Sequence, residues 1–220
     1  MDEPVRDIPK FPSMPHVPWS PEDVREQDYL SNRKFESGPL AEQHVIATEK
    51  LDGSNVRLTR ENVHSRSRED PKHDSYNYLK AQHSEFAHHI PEHIILYGEW
   101  LYAVHSITYT DLSDYLYVFA AFDTEQMQWL DWDATKKYAD KIGKQTPPVL
   151  REYPDGVDER PDPHGESEFG PTREGFVFRT VDGFPYGEFD RRVAKCVREN
   201  HVQTDEHWKF TKIETNGLED

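Results

Sequence analysis

The stretch "ATEKLDGSNVRLTR", residues Ala47 to Arg60, decides how the chain is read. "HVIATEK" is an apolar, β-prone run that ends at Lys50. Asp52-Gly53 is a turn dipeptide. "NVRLT" then alternates Val56 and Leu58 with Arg57, as a half-buried strand does. Taken locally, this is a hairpin with a lysine at its edge, and "VHSRSR" extends it into a small antiparallel meander. Taken chemically, Lys50 is a candidate nucleophile. An amine attacks only when it is partly deprotonated and aimed, and desolvation and nearby cations both lower a lysine pKa. Lys50 closes an apolar strand, with Arg57, Arg60, Arg66, Arg68 and Lys72 following. Gly53 lets backbone approach a ligand closely. Lys-x-Asp-Gly alone does not separate the two readings, since such short patterns recur in ordinary hairpins.

The neighbouring segments point to an α+β chain on antiparallel sheets. Residues 1–42 are rich in proline and charge and read as an extended arm, with one short helix starting near "SPEDVREQDYL". Ser20 would cap that helix, and Pro21 suits its first turn. "SYNYLKAQHSEFAHHI" places Leu79, Phe86 and Ile90 on one helical stripe, with Asp74 or Ser75 as cap. "IILYGEW" and "YLYVFAAFD" are buried strands, and "MQWLDW" continues the sheet. "DATKKYADKIG" is a helix capped by Asp131 or Asp133 and closed by Gly143. Residues 146 to about 172 read as loop. "EGFVFRTV" and "RRVAKCVR" are strands around the turn "DGFPYGE". The organisation expected is an arm over 1–42 and one domain over 43–220.

Composition narrows the function classes. No apolar run approaches a membrane span, and the opening residues lack a signal-peptide core. The single cysteine, Cys196, excludes an intrachain disulfide and a thiolate metal cage, and reads as a small buried hydrophobe. An intracellular, cytoplasmic setting is expected. The net charge of −16 opposes nucleic acid overall, but binding follows the local field of a cleft. A second basic run, Arg191, Arg192, Lys195 and Arg198, supplies one. His88, His89 and His93 near Glu92 read as surface histidines, because a zinc site needs ligands converging on one point. No Walker-type phosphate loop is present.

Five further segments follow in order: "HSRSRE", "LYGEWLYAVHSITY", "YVFAAFD", "EGFVFR" and "VAKCVREN". With "EKLDGSN" they resemble the motifs of the covalent nucleotidyltransferases, which include ATP-dependent RNA and DNA ligases and mRNA capping enzymes. The resemblance spans residues 47 to about 200. Asn55 stands where DNA ligases and capping enzymes carry arginine. Together with "YGEW", the nearby "HSI", "VRENHVQTDEHW" and the opening "KFPSMPH", it makes the chain similar to the T4 RNA ligase 2-like group. The resemblance implies an ATP-grasp-like ligase adenylation domain, with antiparallel sheets flanked by helices and the nucleotide in a cleft between the sheets.

The resemblance also implies roles. Lys50 would attack the α-phosphorus of ATP and carry AMP, and Lys195 would neutralise the α-phosphate. Asp52 and Glu99 would meet the ribose hydroxyls, with Asp52 alternatively ordering a metal-bound water. Asn55 would bond a phosphate, and the backbone of Glu49 would read the base edge. Arg66 would grip a phosphate or ribose oxygen, with Arg68 its rival by strand alternation. Phe119 would stack on the adenine, with Phe122 its rival. Glu174 and Asp52 would hold Mg²⁺ or Mn²⁺. The expected activity joins 5′-phosphate and 3′-hydroxyl RNA ends in RNA repair, with nicked duplexes among the candidate substrates.

Two departures stand out. Val197 occupies the place of a second lysine found in many relatives, leaving Arg198 or Lys209 to supply the charge. About 20 residues follow the last motif, too few for the OB-fold that DNA ligases and capping enzymes append, so the arm or a protein partner would clamp the RNA end. A DNA nick ligase, a capping guanylyltransferase and a non-catalytic nucleic-acid-binding scaffold are the competing readings. Asn55 and the short C-terminal remainder oppose the first two. The charged set Lys50, Asp52, Glu99, Glu174 and Lys195 opposes the third, since a scaffold has no use for costly charges in one cleft.

Overall fold

A computed structural model describes residues 10–21, 28–66, 74–199 and 214–219 of the protein. Among these residues there are ten strands: β1 (Val45–Glu49), β2 (Ser54–Leu58), β3 (Val63–Ser65), β4 (Ile94–Trp100), β5 (Leu116–Asp123), β6 (Gln128–Trp129), β7 (Val149–Tyr153), β8 (Gly175–Thr180), β9 (Phe184–Pro185) and β10 (Val193–Val197). Five α-helices accompany them among the described residues: α1 (Asn32–Glu36), α2 (Pro39–Glu42), α3 (Ser75–Phe86), α4 (Trp132–Lys141) and α5 (Phe189–Arg192). The strands form a four-stranded sheet, β10-β8-β1-β7, and a six-stranded sheet, β3-β2-β4-β5-β6-β9. Every pairing between these strands is antiparallel. This is the α+β, two-sheet architecture expected. Among the described residues, no helix is long and apolar enough to cross a membrane.

The hairpin reading of Ala47–Arg60 does not hold. β1 pairs with β7 and β8, whereas β2 pairs with β3 and β4. Asp52-Gly53 therefore carries the chain from one sheet to the other, and the meander reduces to β2 and β3. Gly53 is required by contact: a Cβ there would lie 2.6 Å from the Trp100 carbonyl oxygen.

Strand alternation sorts the side chains into three layers. On one face of the six-stranded sheet, Val56, Leu58, Leu96, Trp100 and Val118 pack under Tyr76, Leu79 and Phe86 of α3. On one face of the four-stranded sheet, Val45, Ala47, Phe176, Phe178, Ala194 and Cys196 pack under Val17, Leu30, Phe35 and Leu40. The arm is thus a structural cover, not an extended appendage. Between the sheets, Ile95, Tyr97, Phe122 and Trp129 meet Val193, Phe189 and the arm's Phe11. Burying such side chains contributes about 1.5–3 kcal/mol each relative to exposure.

One further correction concerns local structure. The segment read as loop contains β7, the edge strand paired with β1. Its burial explains the difference, because only Tyr153 is fully buried and the rest is open or half-open. Among the described residues, the arm's first α-helix starts at Asn32, where the Ser31 hydroxyl accepts from the Lys34 N–H. The helix expected from Ser20 falls largely on residues 22–27, outside the described residues. Asp131 caps α4 as expected, accepting from the Ala134 N–H at 2.6 Å.

Candidate active site

The crossover between the sheets builds the site. Lys50 is still tied to the four-stranded sheet, its N–H donating to the Gly175 carbonyl at 3.0 Å. Its Nζ lies 2.6 Å from Oε2 of Glu174, whose side chain is 1% exposed. Gly175, next to Glu174, lets the chain pass close to β10: φ is +156°, and a Cβ would collide with the Cys196 carbonyl oxygen. Two residues beyond Lys50, the Asp52 N–H donates to the Tyr109 hydroxyl at 2.9 Å. The Gly53 N–H donates to Glu99 Oε1 at 3.2 Å. Asn55 then faces Glu99 directly across the β2–β4 ladder.

The electrostatics differ from the expectation for Lys50. Burial alone disfavours its charged form, but Glu174, Glu99 and Asp52 outweigh that, and the pKa lies above the ordinary value. The amine is therefore a firmly protonated cation in the unliganded site, not one poised by neighbouring cations. Glu99 is the counterpart. Burial, with Glu174 and Asp52 adding to it and Lys50 opposing, pushes its carboxyl up to about 8. Asp52 also braces the structure. Its Oδ2 accepts from the Ser106 N–H at 2.8 Å, the Ser106 hydroxyl at 2.7 Å and the Ile107 N–H at 2.9 Å. "HSI" is thus the segment that Asp52 holds.

Lys195 lies on β10 opposite Val177, which lies opposite Thr48 two residues before Lys50. The arm runs alongside. The Lys195 N–H donates to the Pro15 carbonyl at 2.9 Å, and the Val17 N–H donates to the Lys195 carbonyl at 2.8 Å. This brings in His16, which is 3% exposed. Burial, then Lys195 and Lys50, lower its imidazole to about 4, so it is neutral near pH 7. Sequence reasoning missed His16; the motif "KFPSMPH" was the one signal that touched it. Val197, at the place of the second lysine, is fully buried, and its N–H donates to the Ser20 hydroxyl at 3.2 Å.

The remaining candidates separate clearly. Phe119 is partly exposed on the inner face, where the β4–β5 register shifts between Tyr97 and Gly98 and leaves it unpaired as a bulge. Phe11 contacts its ring edge-on at 5.0 Å. Phe122 is fully buried against Trp129 at 4.9 Å, so its face is committed to the core. The Glu49 N–H donates to the Pro148 carbonyl at 2.8 Å and so is not free to meet a base edge. Its carboxyl, buried and accepting from the Ser167 hydroxyl at 2.6 Å, is raised in pKa chiefly by burial. Arg66 is exposed one residue past β3, and no hydrogen bond or ion pair among the described residues ties it to the cleft. Arg68 and Lys209 lie outside the described residues.

The structure thus brings Lys50, Asp52, Asn55, Glu99, Glu174 and Lys195 together and leaves Arg66 at the rim. Glu174, Glu99 and Asp52 are hard oxygen donors that suit Mg²⁺ or Mn²⁺. No group of three metal-ligating side chains stands preassembled among the described residues, the His88–His93 segment included. Cys196 is fully buried, and burial pushes its thiol up to about 12, the small inert hydrophobe expected.

A family model described as RNA ligase matches residues 43–197. Among solved structures, the chain is similar to Naegleria gruberi RNA ligase with PPi, at 18% identity over 90% of this chain and 61% of that one, TM-score 0.55. A mutant of the Naegleria gruberi RNA ligase with ATP and Mn matches at 16% identity over 81% of this chain and 56% of that one, TM-score 0.52. An archaeal ATP-dependent RNA ligase matches at 15% identity over 87% and 48%, TM-score 0.53. The chain spans less than two thirds of each of these proteins, and at such identities the likeness is one of fold. No curated protein matches the chain.

Proposed function

The chain belongs to the RNA ligase family, and from that premise we propose that it is an ATP-dependent ligase joining 5′-phosphate and 3′-hydroxyl RNA ends through a lysyl–AMP. The observation that carries this reading is Lys50 at the sheet crossover, 2.6 Å from the buried Glu174 and flanked by Glu99 and Asp52.

The chemistry follows from the arrangement. Lys50 Nζ must lose its proton and attack the α-phosphorus of ATP; a P–N bond forms and the bond to pyrophosphate breaks. Because the surrounding carboxylates hold the amine protonated, attack requires that their charge be engaged elsewhere. Glu174, assisted by Asp52, would hold a divalent metal ion, which when bound supplies positive charge to the phosphates. Engaged in that way, Glu174 would hold the Lys50 proton less tightly. Lys195 faces the charge that builds on the α-phosphate. Glu99 and Asn55 take the ribose and phosphate, and Phe119 offers its ring to the adenine. AMP then passes to an RNA 5′-phosphate, and a 3′-hydroxyl displaces it to form the phosphodiester. The neighbours that carry ATP and Mn support this choice of nucleotide and metal.

The test is incubation with ATP labelled at the α-phosphate. A denaturant-stable, acid-labile protein adduct is expected, absent in Lys50→Ala. A panel of single-stranded RNA, nicked RNA duplex, RNA–DNA hybrid and nicked DNA then defines the substrate, with sealing of RNA ends expected. Sealing confined to nicked DNA would overturn the RNA assignment.

A further inference from the structure

Beside the cleft, a second basic feature flanks Glu174. Arg173 precedes it in the chain, and the Arg198 N–H donates to the Glu174 carbonyl at 3.0 Å. Both arginines line one open cavity of about 390 Å³, together with His164, Gly165 and Glu166. Arg173 is held in place there. Its backbone N–H donates to the Gly165 carbonyl at 3.1 Å, and its Nη2 donates to the Asp162 carbonyl at 2.9 Å. A Cβ on Gly165 would collide with that Nη2, so a larger residue there would displace the guanidinium.

The Nε atoms of Arg173 and Arg198 are both buried without a hydrogen-bond partner among the described residues. Leaving a buried donor unsatisfied is unfavourable, and the chemistry of the cleft uses neither group. The other arginines of the same run are different: Arg191 is exposed, and Arg192 is held by Glu188 at 2.6 Å and Gln43 at 2.8 Å. Two guanidiniums converging on one cavity present planar forks of donors, the geometry that phosphate oxygens accept. In a chain of net charge −16, such a spot is where a polyanion gains rather than loses. Lys50 and Lys195 already serve the nucleotide in the cleft. The cavity is walled by the loop between β7 and β8, which runs straight into Glu174 of the cleft.

We propose that this cavity binds a backbone phosphate of the RNA strand whose end is processed at Lys50; the proposal rests on the ligase reading above. Phosphate contacts of this kind fix register on the protein without reading sequence.

The experiment measures binding of a 5′-phosphorylated single-stranded RNA to the full chain by fluorescence anisotropy across a salt series. Wild type, Arg173→Gln, Arg198→Gln, the double variant and Arg191→Gln are compared, with labelled-ATP adenylylation run in parallel. The double variant should bind RNA ~10-fold more weakly, with the slope of log K against log salt shallower by about 0.7 for the lost phosphate. Arg173→Gln should keep its adenylylation by ATP, and an unchanged unfolding midpoint shows that the double variant folds. Arg191→Gln, which removes one charge outside the cavity as each single variant does within it, should change RNA binding little. An equal loss in Arg191→Gln and the single cavity variants overturns the site in favour of diffuse charge. Unchanged RNA binding with weakened ATP adenylylation overturns it in favour of a triphosphate contact. Absence of adenylate in the wild type overturns the ligase reading instead, and the RNA arm is read separately from it.

Discussion

The two walls of the cleft divide the labour. The four-stranded sheet presents Lys50, Glu174 and Lys195, charged groups fixed at neighbouring positions of an antiparallel ladder. The six-stranded sheet presents Asn55 and Glu99 as cross-strand partners and Phe119 on a bulge. On the proposed mechanism, one wall carries the reacting charges, and the other carries acceptors and an aromatic face. Only the short run Lys50 to Gly53 joins the two walls between β1 and β2. That asymmetry explains why a lysine in a turn-like motif is well placed for this chemistry: the crossover aims it with one sheet and surrounds it with groups from the other.

Substitutions on each wall should therefore fail differently. On the reacting wall, Lys195→Ala should lower the rate of adenylylation by ~10²–10³ with little change in the KM for ATP, as loss of a transition-state charge contact does; single-turnover kinetics at saturating ATP checks this. A pure KM effect would move Lys195 to the recognition wall. There, Phe119→Ala should weaken ATP binding by about 1–3 kcal/mol, the worth of a base–aromatic stack, at nearly constant maximal rate. Phe122→Ala should behave as a core truncation instead, costing about 3–5 kcal/mol of stability. A denaturation curve beside an ATP titration separates the two.

The mildest change concerns pH. Burial and the neighbouring carboxylates hold Glu99 protonated up to about 8, against an ordinary value of 4.5. Between those values the folded chain keeps a proton that the unfolded chain has released. Its contribution to stability therefore falls as pH rises from about 4.5 to about 8. Glu99→Gln removes the titration and should flatten that part of the stability curve. Unfolding midpoints across the window check this, and an unchanged slope would show that Glu99 is ionised in the fold.

Much of this was legible from the sequence for a physical reason. β1, β2, β4, β5, β8 and β10 carry strong β-branched and aromatic runs, and the ordered motifs singled out Lys50, Glu99, Glu174 and Lys195. What pairs with what was not legible. Asp52-Gly53 has hairpin chemistry, yet β1 is buried along its whole length, the mark of an interior strand with partners on both sides. β7 is an open edge strand and lacks that mark. The arm's role was hidden because Val17, Leu30, Phe35 and Leu40 follow no period, and their packing partners lie far along the chain. His16 meets Lys195 through a long-range bridge that no local pattern announces. The lysine pKa was misjudged because cations were counted along the chain, whereas the carboxylates converge in space.

The decisive measurement is the site of the adduct. The wild-type chain, incubated with ATP and Mg²⁺ or Mn²⁺ and digested without acid, should yield one peptide heavier by a single AMP, with the modification on Lys50. AMP on any other lysine, Lys195 included, or an unmodified Lys50 peptide alongside active RNA sealing, would contradict the assignment of Lys50 as the nucleophile.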